Sequence, residues 1–192
     1  MAQQVWFTSD THFGHTNIVK YSGRPFNDVH EMNETLIRNW NAVVKSGDVI
    51  YHVGDFALCD GEAATKIVKR LTGQKYLVFG NHDKALRKDK SFLGHWIWAK
   101  DMADITVGSQ RIVLLHYAMR VWNQSHRGAW QLHGHSHGSL KEEPHLLQAD
   151  VGVDCWNQRP VSFEELTAKM ATKNYRPVDH HGRKNEDPIA DH

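Results

Sequence analysis

The stretch VIYHVGD, residues 49–55, decides the fold. Apolar and β-branched residues dominate positions 49–53, and Gly54 and Asp55 follow directly. A short run of this composition is typical of a buried strand, and a glycine at its end allows a sharp turn. The stretch therefore predicts a strand that ends in a carboxylate.

Four further runs share this arrangement, and they cover residues 5–8, 76–79, 112–115 and 130–132. Each is followed by side chains of the metal-ligand type: Asp10, His12, Asn81, His82, His116, His135 and His137. In α/β proteins, ligands bind in the crevice outside the carboxyl ends of the strands. Five runs are thus expected to deliver their polar side chains to one place.

The segments between these runs predict helices. Residues 28–45 carry apolar side chains every three or four positions, a second helix is expected over residues 62–71, and a third begins at Ser162. Strands that alternate with helices indicate an α/β fold. Residues 105–115, broken at Gly108, predict a hairpin, so we expect mixed sheets.

Length and charge limit the function classes. A chain of 192 residues suits one domain, which we assign to residues 1–176. Residues 177–192 are polar and aperiodic and predict a disordered tail. A net charge of +1 offers no general attraction for nucleic acid or anionic lipid, so no extended nucleic-acid surface is expected.

Compartment and membrane association are also predicted from simple patterns. The N-terminal segment lacks the basic and apolar regions of a leader, and no apolar run is long enough to span a membrane. Cys59 and Cys155 cannot form a disulfide framework. A cytoplasmic protein without a membrane partner is the expectation, and the oligomeric state stays open.

The donor set predicts a metal site. Asp10 with His12, and His135 with His137, lie two positions apart and share one side of an extended segment. Carboxylates, imidazoles and one amide suit Mn, Fe, Co, Ni or Zn better than Ca, and we take Mn as the first candidate among them. The seven candidates exceed the needs of one tetrahedral ion but suffice for two if one carboxylate bridges them: Asp10, His12, Asp55, Asn81, His116, His135 and His137. Two such ions attract phosphate oxyanions and supply hydroxide as the nucleophile.

The ordered motifs Asp10-x-His12, Gly54-Asp55, Gly80-Asn81-His82-Asp83, His116 and Gly134-His135-x-His137 resemble the signature of calcineurin-like metallophosphoesterases. The resemblance covers roughly residues 4–155 and is strongest to the small single-domain type of bacteria and phages. It implies an α/β sandwich of two mixed β-sheets flanked by helices, in a single domain.

The resemblance also implies residue roles. One metal would be bound by Asp10, His12, Asp55 and His137, and the other by Asp55, Asn81, His116 and His135. Asp55 would bridge them, His82 would contact the scissile phosphate and assist the leaving group, and Asp83 would be a catalytic residue that orients His82. Two features depart from the pattern: Leu115 precedes His116 where glycine is common, and Gly47-Asp48 repeats the Gly-Asp pair, with Asp48 expected to begin a turn or strand.

Candidate substrate contacts flank these motifs: His15, Asn17, Arg24, Arg120, Trp122 and His126. Arg24 could supply a bidentate phosphate contact or could equally be a solvated loop charge. Trp122 belongs to a polar and aromatic stretch after His116 that we interpret as a specificity loop. It could stack on a nucleobase, although packing against the sheet is the more common role of tryptophan.

The leading hypothesis is a metal-dependent phosphoesterase that acts on small diesters or cyclic nucleotides, with monoesters as an alternative. A DNA nuclease of the same family is disfavoured, because the chain has no basic stripe. A non-catalytic interaction module on this fold, as in the phosphoesterase-like retromer subunit, is a third reading, but there the catalytic histidine is altered. Simple metal buffering is a fourth, and it would not require ligands at five strand ends.

Overall fold

Two mixed β-sheets pack against each other in the computed structural model, which describes residues 3–178. The first sheet has the order β4-β3-β2-β1-β9 and consists of β1 (Val5–Thr8), β2 (Val49–Val53), β3 (Gln74–Val78), β4 (Ala99–Lys100) and β9 (Val161–Ser162). Its first four strands in the chain are parallel, and β9 is antiparallel to β1. The carboxyl ends of β1, β2 and β3 therefore lie along one edge.

The second sheet has the order β5-β6-β7-β8, with β5 (Met102–Val107), β6 (Gln110–Leu115), β7 (Trp130–His133) and β8 (Gln148–Asp150). The predicted hairpin is confirmed, because β5 pairs antiparallel with β6. The other pairs are parallel. Both sheets are mixed, as predicted.

The helices are α1 (Ile18–Tyr21), α2 (Val29–Val43), α3 (Gly61–Arg70), α4 (Lys90–Leu93) and α5 (Phe163–Ala171). Asp28 caps α2 by accepting the N–H of Glu31 at 2.8 Å, and Ser162 and Glu165 form the capping box that begins α5. Asp60 likewise caps α3 by accepting the N–H of Ala63 at 2.8 Å, and the three predicted helices are confirmed.

Two large apolar clusters hold the layers together. One lies between the sheets and joins Phe7 and Val53 of the first sheet to Ile112 and Leu132 of the second. The other packs helices against the outer face of the first sheet and includes Trp40 of α2. Because the inner cluster fixes the two sheets together, the loops at their carboxyl ends converge. There, Ser9 forms an isolated parallel bridge with Gly152.

The shortest elements were not predicted. The strands β4, β8 and β9 and the helices α1 and α4 have two to four residues each, too few to show a periodicity. β3 covers Gln74–Val78 rather than residues 76–79. Residues 179–192, most of the predicted tail, lie outside the described residues. Among residues 3–178, no helix is long and apolar enough to cross a membrane.

Candidate metal centre

Two groups of ligand-type side chains meet where the strands end. One comprises Asp10, His12 and His137, and the other comprises Asp55, His116 and His135. Within each group, one ligand atom per residue lies within 4.8 Å of those of the others. Both groups draw on both sheets, so the centre exists only where the two sheets meet.

Asp55 lies between the two groups. Its Oδ2 is 3.6 Å from His12 Nε2 and 3.2 Å from His116 Nε2, and its Oδ1 accepts the backbone N–H of His82 at 2.8 Å. Asn81 belongs with the second group, since its Oδ1 is 3.1 Å from His116 Nε2 and 3.0 Å from His135 Nδ1. All seven predicted ligands are thus brought together, and Asp55 is placed where one carboxylate can serve both groups.

Backbone strain is concentrated at these residues. Five of the seven have positive φ angles, namely Asp10 (55°), His12 (49°), Asp55 (57°), His135 (69°) and His137 (48°). A left-handed conformation costs a non-glycine residue about 1–2 kcal/mol, and such strain persists at sites where geometry serves a function. The fold therefore holds these side chains in place against their local preference.

Two glycines permit the close approach of the loops. A Cβ on Gly54, whose φ is 96°, would lie 2.3 Å from His116 Nδ1, and a Cβ on Gly80 would lie 2.1 Å from Asp55 Oδ1. Any side chain at these positions would displace a candidate ligand. The glycines that precede Asp55 and Asn81 in the sequence are therefore steric requirements.

Burial leaves polar atoms of the first group without partners. His12 is 1% exposed and neither ring nitrogen forms a hydrogen bond within the described residues; burial lowers its pKa to about 2, so the ring is neutral and able to donate a lone pair. Asp10 is fully buried, and burial raises its pKa to about 7. A buried carboxylate beside an imidazole without hydrogen-bond partners is costly unless a cation joins them. The residues present fit a bound divalent cation.

In the second group, a backbone carbonyl orients His116. Its Nδ1 lies 2.9 Å from the carbonyl oxygen of Val53, which turns Nε2 toward Asp55. Burial acts to lower the pKa of His116, but the hydrogen bond and charge of Asp55 and the charge of Asp10 outweigh it and raise the pKa to about 9. A hydrogen bond of this kind fixes a metal-binding imidazole, and the leucine at position 115 does not prevent it.

Asp154 orients His137 and was not predicted. Its Oδ2 is 2.7 Å from His137 Nδ1, and both its oxygens accept hydrogen bonds from the Arg24 guanidinium at 2.9 Å. No motif marks Asp154 in the sequence. A metal-binding histidine commonly donates its second N–H to a carboxylate. A carboxylate partner for His137 could therefore have been expected, although the sequence does not show which one.

Arg24 is buried, and its guanidinium group bonds to the loop that carries Asp10 rather than to a substrate. It is 4% exposed, and besides Asp154 it donates to the carbonyl oxygens of Thr11 at 3.0 Å and Asp10 at 2.6 Å and to Met32 Sδ at 3.3 Å. All its N–H donors are engaged, so none is left for a phosphate. Both interpretations of Arg24, phosphate ligand and solvated charge, are wrong.

Asp83 joins two loops of the centre. It is fully buried and accepts the backbone N–H groups of Asp55 and Phe56 at 2.9 Å and of Gly80 at 2.8 Å. Its oxygens are thus directed at backbone donors and not at the His82 ring. The prediction that Asp83 is a catalytic residue orienting His82 is wrong, and Asp83 is a positioning residue for the Asp55 loop.

His82 and His15 lie beside the first group. The half-buried ring of His82 is 5.2 Å from that of His12 and 6.0 Å from that of His15, centroid to centroid. Within residues 3–178 the His82 imidazole forms no hydrogen bond, so both nitrogens are available to a ligand. Asn17 is exposed before α1, and its side chain does not cap that helix.

Comparison with known proteins agrees with this arrangement. A family model described as the calcineurin-like phosphoesterase superfamily domain matches residues 4–152. The chain belongs to the calcineurin-like phosphoesterase superfamily. Uncharacterized protein MJ1445 of Methanocaldococcus jannaschii is 33% identical over 178 residues, which cover 89% of this chain and 93% of that protein.

Solved structures show the same superfamily fold. A protein of unknown function from Aquifex aeolicus, AQ665, superposes with a TM-score of 0.69 at 26% identity, covering 88% of this chain and 100% of that one. A structure described as a novel archaeal phosphodiesterase gives a TM-score of 0.50 at 16% identity, covering 78% of this chain and 84% of that one. The two-sheet sandwich is therefore shared with both.

The predicted specificity loop after His116 contains both buried and exposed side chains. Trp122 is 6% exposed, packs with Val113 and Leu146, and donates its Nε1–H to the carbonyl oxygen of Ala129 at 2.9 Å. Stacking on a substrate is therefore wrong for Trp122, and packing against the sheet is confirmed. Arg120 is exposed and His126 lies in the 3₁₀-helix Ser125–Arg127, and a substrate contact by either stays a prediction.

Tyr117 is the aromatic residue that borders the centre instead. It is 45% exposed, its ring lies 4.7 Å from that of His135, and its hydroxyl lies 3.4 Å from Asn81 Oδ1. Tyr117 was not predicted as a site residue, although it directly follows His116. An aromatic residue next to a candidate ligand was the available signal.

Proposed function

We propose that the protein is a metal-dependent phosphoesterase that binds two divalent cations, with Mn²⁺ as the preferred ion, and hydrolyses small phosphate diesters, including cyclic nucleotides. The observation that carries the proposal is the position of Asp55 between two groups of ligand side chains. One cation would be held by Asp10, His12, Asp55 and His137, and the other by Asp55, Asn81, His116 and His135. When bound, the cations supply the positive charge that holds a phosphate ester and activates water for attack on phosphorus.

His82 is the proposed acid for the leaving group. Its ring is half-buried, lies 5.2 Å from that of His12, and makes no competing hydrogen bond within the described part of the chain. The backbone bond from His82 N–H to Asp55 Oδ1 fixes its main chain against the centre. An imidazole in this position can contact a phosphoryl oxygen and donate a proton to the departing alkoxide. His15, 6.0 Å away ring to ring, is a proposed second contact.

Charge supports a small substrate over a polymer. Binding to DNA requires several Lys or Arg contacts with phosphates, whereas this chain has a net charge of +1. Two divalent ions facing two carboxylates leave a positive centre that suits the single charge of a diester. The same reasoning makes a monoester the second candidate, and the substrate panel below separates them.

The test measures hydrolysis of bis-p-nitrophenyl phosphate, p-nitrophenyl phosphate and 2′,3′-cyclic AMP. Metal-stripped protein is resupplied with Mn²⁺, and wild type is compared with His82→Ala and with His30→Ala, an exposed histidine of α2. Metal-dependent turnover that falls about 10²-fold or more in His82→Ala, but not in His30→Ala, supports the proposal. Equal activity of both variants would remove His82 from the mechanism.

Metal content is a separate measurement. Elemental analysis after dialysis against Mn²⁺, Fe²⁺, Co²⁺, Ni²⁺ or Zn²⁺ should give two ions per chain. Two bound ions without turnover of any ester would overturn the enzymatic proposal and favour an interaction module.

A further inference from the structure

A groove opens beside the second ligand group. Its cavity volume is about 460 Å³, and its lining includes Asn81 and His116 of that group. The remaining side chains that matter here have no role in the proposed reaction: Phe79, Lys84, Arg87, Asp101 and Tyr117. We call this cavity the distal groove. Because it shares two residues with the candidate metal centre, a ligand held there can extend directly into it.

The distal groove carries surplus positive charge. Arg87 lies 4.4 Å above the Phe79 ring and forms a 2.5 Å ion pair with Asp101. Lys84 is exposed and forms no ion pair with any residue in the described range 3–178. With Asp101 offset by Arg87, the Lys84 ammonium stays unneutralised. A nearly neutral chain thus places a cation beside the metal centre.

The groove also offers an aromatic surface. Tyr117 is 45% exposed, and its ring is fixed by contact with the rings of His135, at 4.7 Å, and His116, at 5.2 Å. The hydroxyl lies 3.4 Å from Asn81 Oδ1. A ring held in this way loses little freedom when a planar group stacks on it. Any nucleobase can stack on such a ring, because every base has a planar π face.

We propose that the distal groove binds the nucleoside part of the substrate and selects nucleotides that carry a second phosphate, which Lys84 contacts while Tyr117 lies against the base or sugar. This inference rests on the proposed function, because the scissile phosphate must occupy the metal centre. A cavity of this volume falls within the usual range for small-ligand sites. An exposed ammonium can hold a phosphate group through charge-assisted hydrogen bonds.

The test compares two chromogenic diesters that differ by one phosphate. Thymidine 5′-(p-nitrophenyl phosphate) has the base and the scissile diester, and its 3′-phosphorylated form adds the second phosphate. Mn²⁺-loaded wild type should show a KM about tenfold lower for the 3′-phosphorylated ester. Lys84→Ala should remove that difference by raising the KM for the 3′-phosphorylated ester about tenfold. Lys88→Ala is the matched control, because Lys88 is exposed on the same segment but does not line the groove.

Two further readouts exclude a merely structural effect. Lys84→Arg keeps the charge and should retain most of the preference, and the preference should shrink as ionic strength rises. Calorimetric binding of thymidine 3′,5′-bisphosphate and thymidine 5′-monophosphate to the Mn²⁺-loaded protein gives the same comparison without turnover.

The outcomes separate the two proposals. Equal KM values for both esters, with Lys84→Ala behaving like Lys88→Ala, would overturn the groove assignment while the phosphoesterase stands. Turnover of neither ester, together with no turnover of bis-p-nitrophenyl phosphate, would overturn the proposed function itself. A preference that survives Lys84→Ala would place the second phosphate elsewhere.

Discussion

Two Gly-Asp pairs flank the same strand, and they behave differently. Gly47-Asp48 precedes β2 and Gly54-Asp55 follows it. Asp48 is 6% exposed and accepts the N–H groups of Gln4 (3.0 Å), Lys45 (2.9 Å) and the Trp6 indole (3.2 Å). Asp55 accepts one backbone N–H and otherwise faces the imidazoles of His12 and His116.

The difference lies in the partners and not in the dipeptide. N–H donors satisfy Asp48 completely, and although burial acts to raise its pKa, these donors lower it. Burial likewise acts to raise the pKa of Asp55, but the hydrogen bond and charge of His116 bring it to about 2. A carboxylate surrounded by N–H donors stabilises the fold, whereas one surrounded by imidazole nitrogens is available to a cation. The predictions for Asp55 and Asp48 test that distinction directly, and those for Asp154 and His52 extend it to residues nearby.

The largest expected effect is on activity at Asp55. Asp55→Asn keeps the acceptor for His82 N–H but removes the charge between the two ligand groups, so kcat/KM should fall about 10³-fold or more. Asp55→Asn also removes the ion pair with His116 Nε2 at 3.2 Å, which holds the pKa of Asp55 down, so the midpoint of thermal unfolding should fall as well. Asp48→Asn should leave kcat/KM nearly unchanged, and a loss of activity in both variants would contradict the comparison.

A smaller loss is expected at Asp154, which touches a candidate ligand without being one. Asp154→Asn weakens the hydrogen bond that orients His137 and the ion pair with Arg24, so apparent Mn²⁺ affinity should fall about 10- to 100-fold. Titration of activity with Mn²⁺ measures this, and high Mn²⁺ should restore most of the turnover. Failure of Mn²⁺ to restore any activity would show that Asp154 acts on more than metal affinity.

Stability is the quantity expected to change at Asp48. Asp48→Asn leaves three donors with a weaker acceptor, and urea denaturation at pH 7 should show a loss of about 2 kcal/mol. The folded pKa of Asp48 lies below its unfolded value of 3.8, so its contribution is present in full above pH 3.8 and is lost as the pH falls through the folded pKa. The difference between wild type and variant should therefore shrink on acidification. A constant difference from pH 7 to pH 3 would contradict this assignment.

The smallest effect belongs to His52, which lies on β2 between the two pairs. Its Nε2–H donates to Thr11 Oγ1 at 2.9 Å, its Nδ1 has no partner within the described residues, and burial lowers its pKa to about 3. The unfolded chain binds this proton below pH 6.5, so folding stability decreases as the pH falls from 6.5 toward 3, by about 1.4 kcal/mol at pH 5.5. His52→Gln should have a flatter stability profile over that range. Parallel profiles for wild type and variant would show that His52 does not carry the effect.

Most of the fold and the metal ligands could be predicted because they depend on local signals. Strands β1, β2, β6 and β7 each combine an apolar run with a polar terminus, and Asp28 and Ser162 mark helix starts through hydrogen bonds to residues three positions later. Parallel strands then bring their ends together whatever lies between them. The convergence of the ligand side chains followed from that geometry, whereas their division between two cations was implied by the family resemblance.

The supporting residues could not be predicted because their partners are distant. Arg24 and Asp154 are 130 residues apart, and Asp83 contacts residues 27 and 28 positions away. Nothing local distinguishes Arg24 in its loop from a solvated arginine, and nothing marks Trp122 as buried until the second sheet supplies Val113 and Leu146. Whether such a residue supports the fold or is available to a substrate depends on tertiary contacts between distant segments.

The bond between His135 N–H and the Asp10 carboxylate joins positions 125 residues apart. During synthesis, Asp10 and His12 leave the ribosome long before β7 exists to deliver their partners. Closing a loop of this length costs conformational entropy, and the contacts between the two sheets must offset that cost. A nascent chain that ends before β7 cannot complete either ligand group, because His135 and His137 follow that strand.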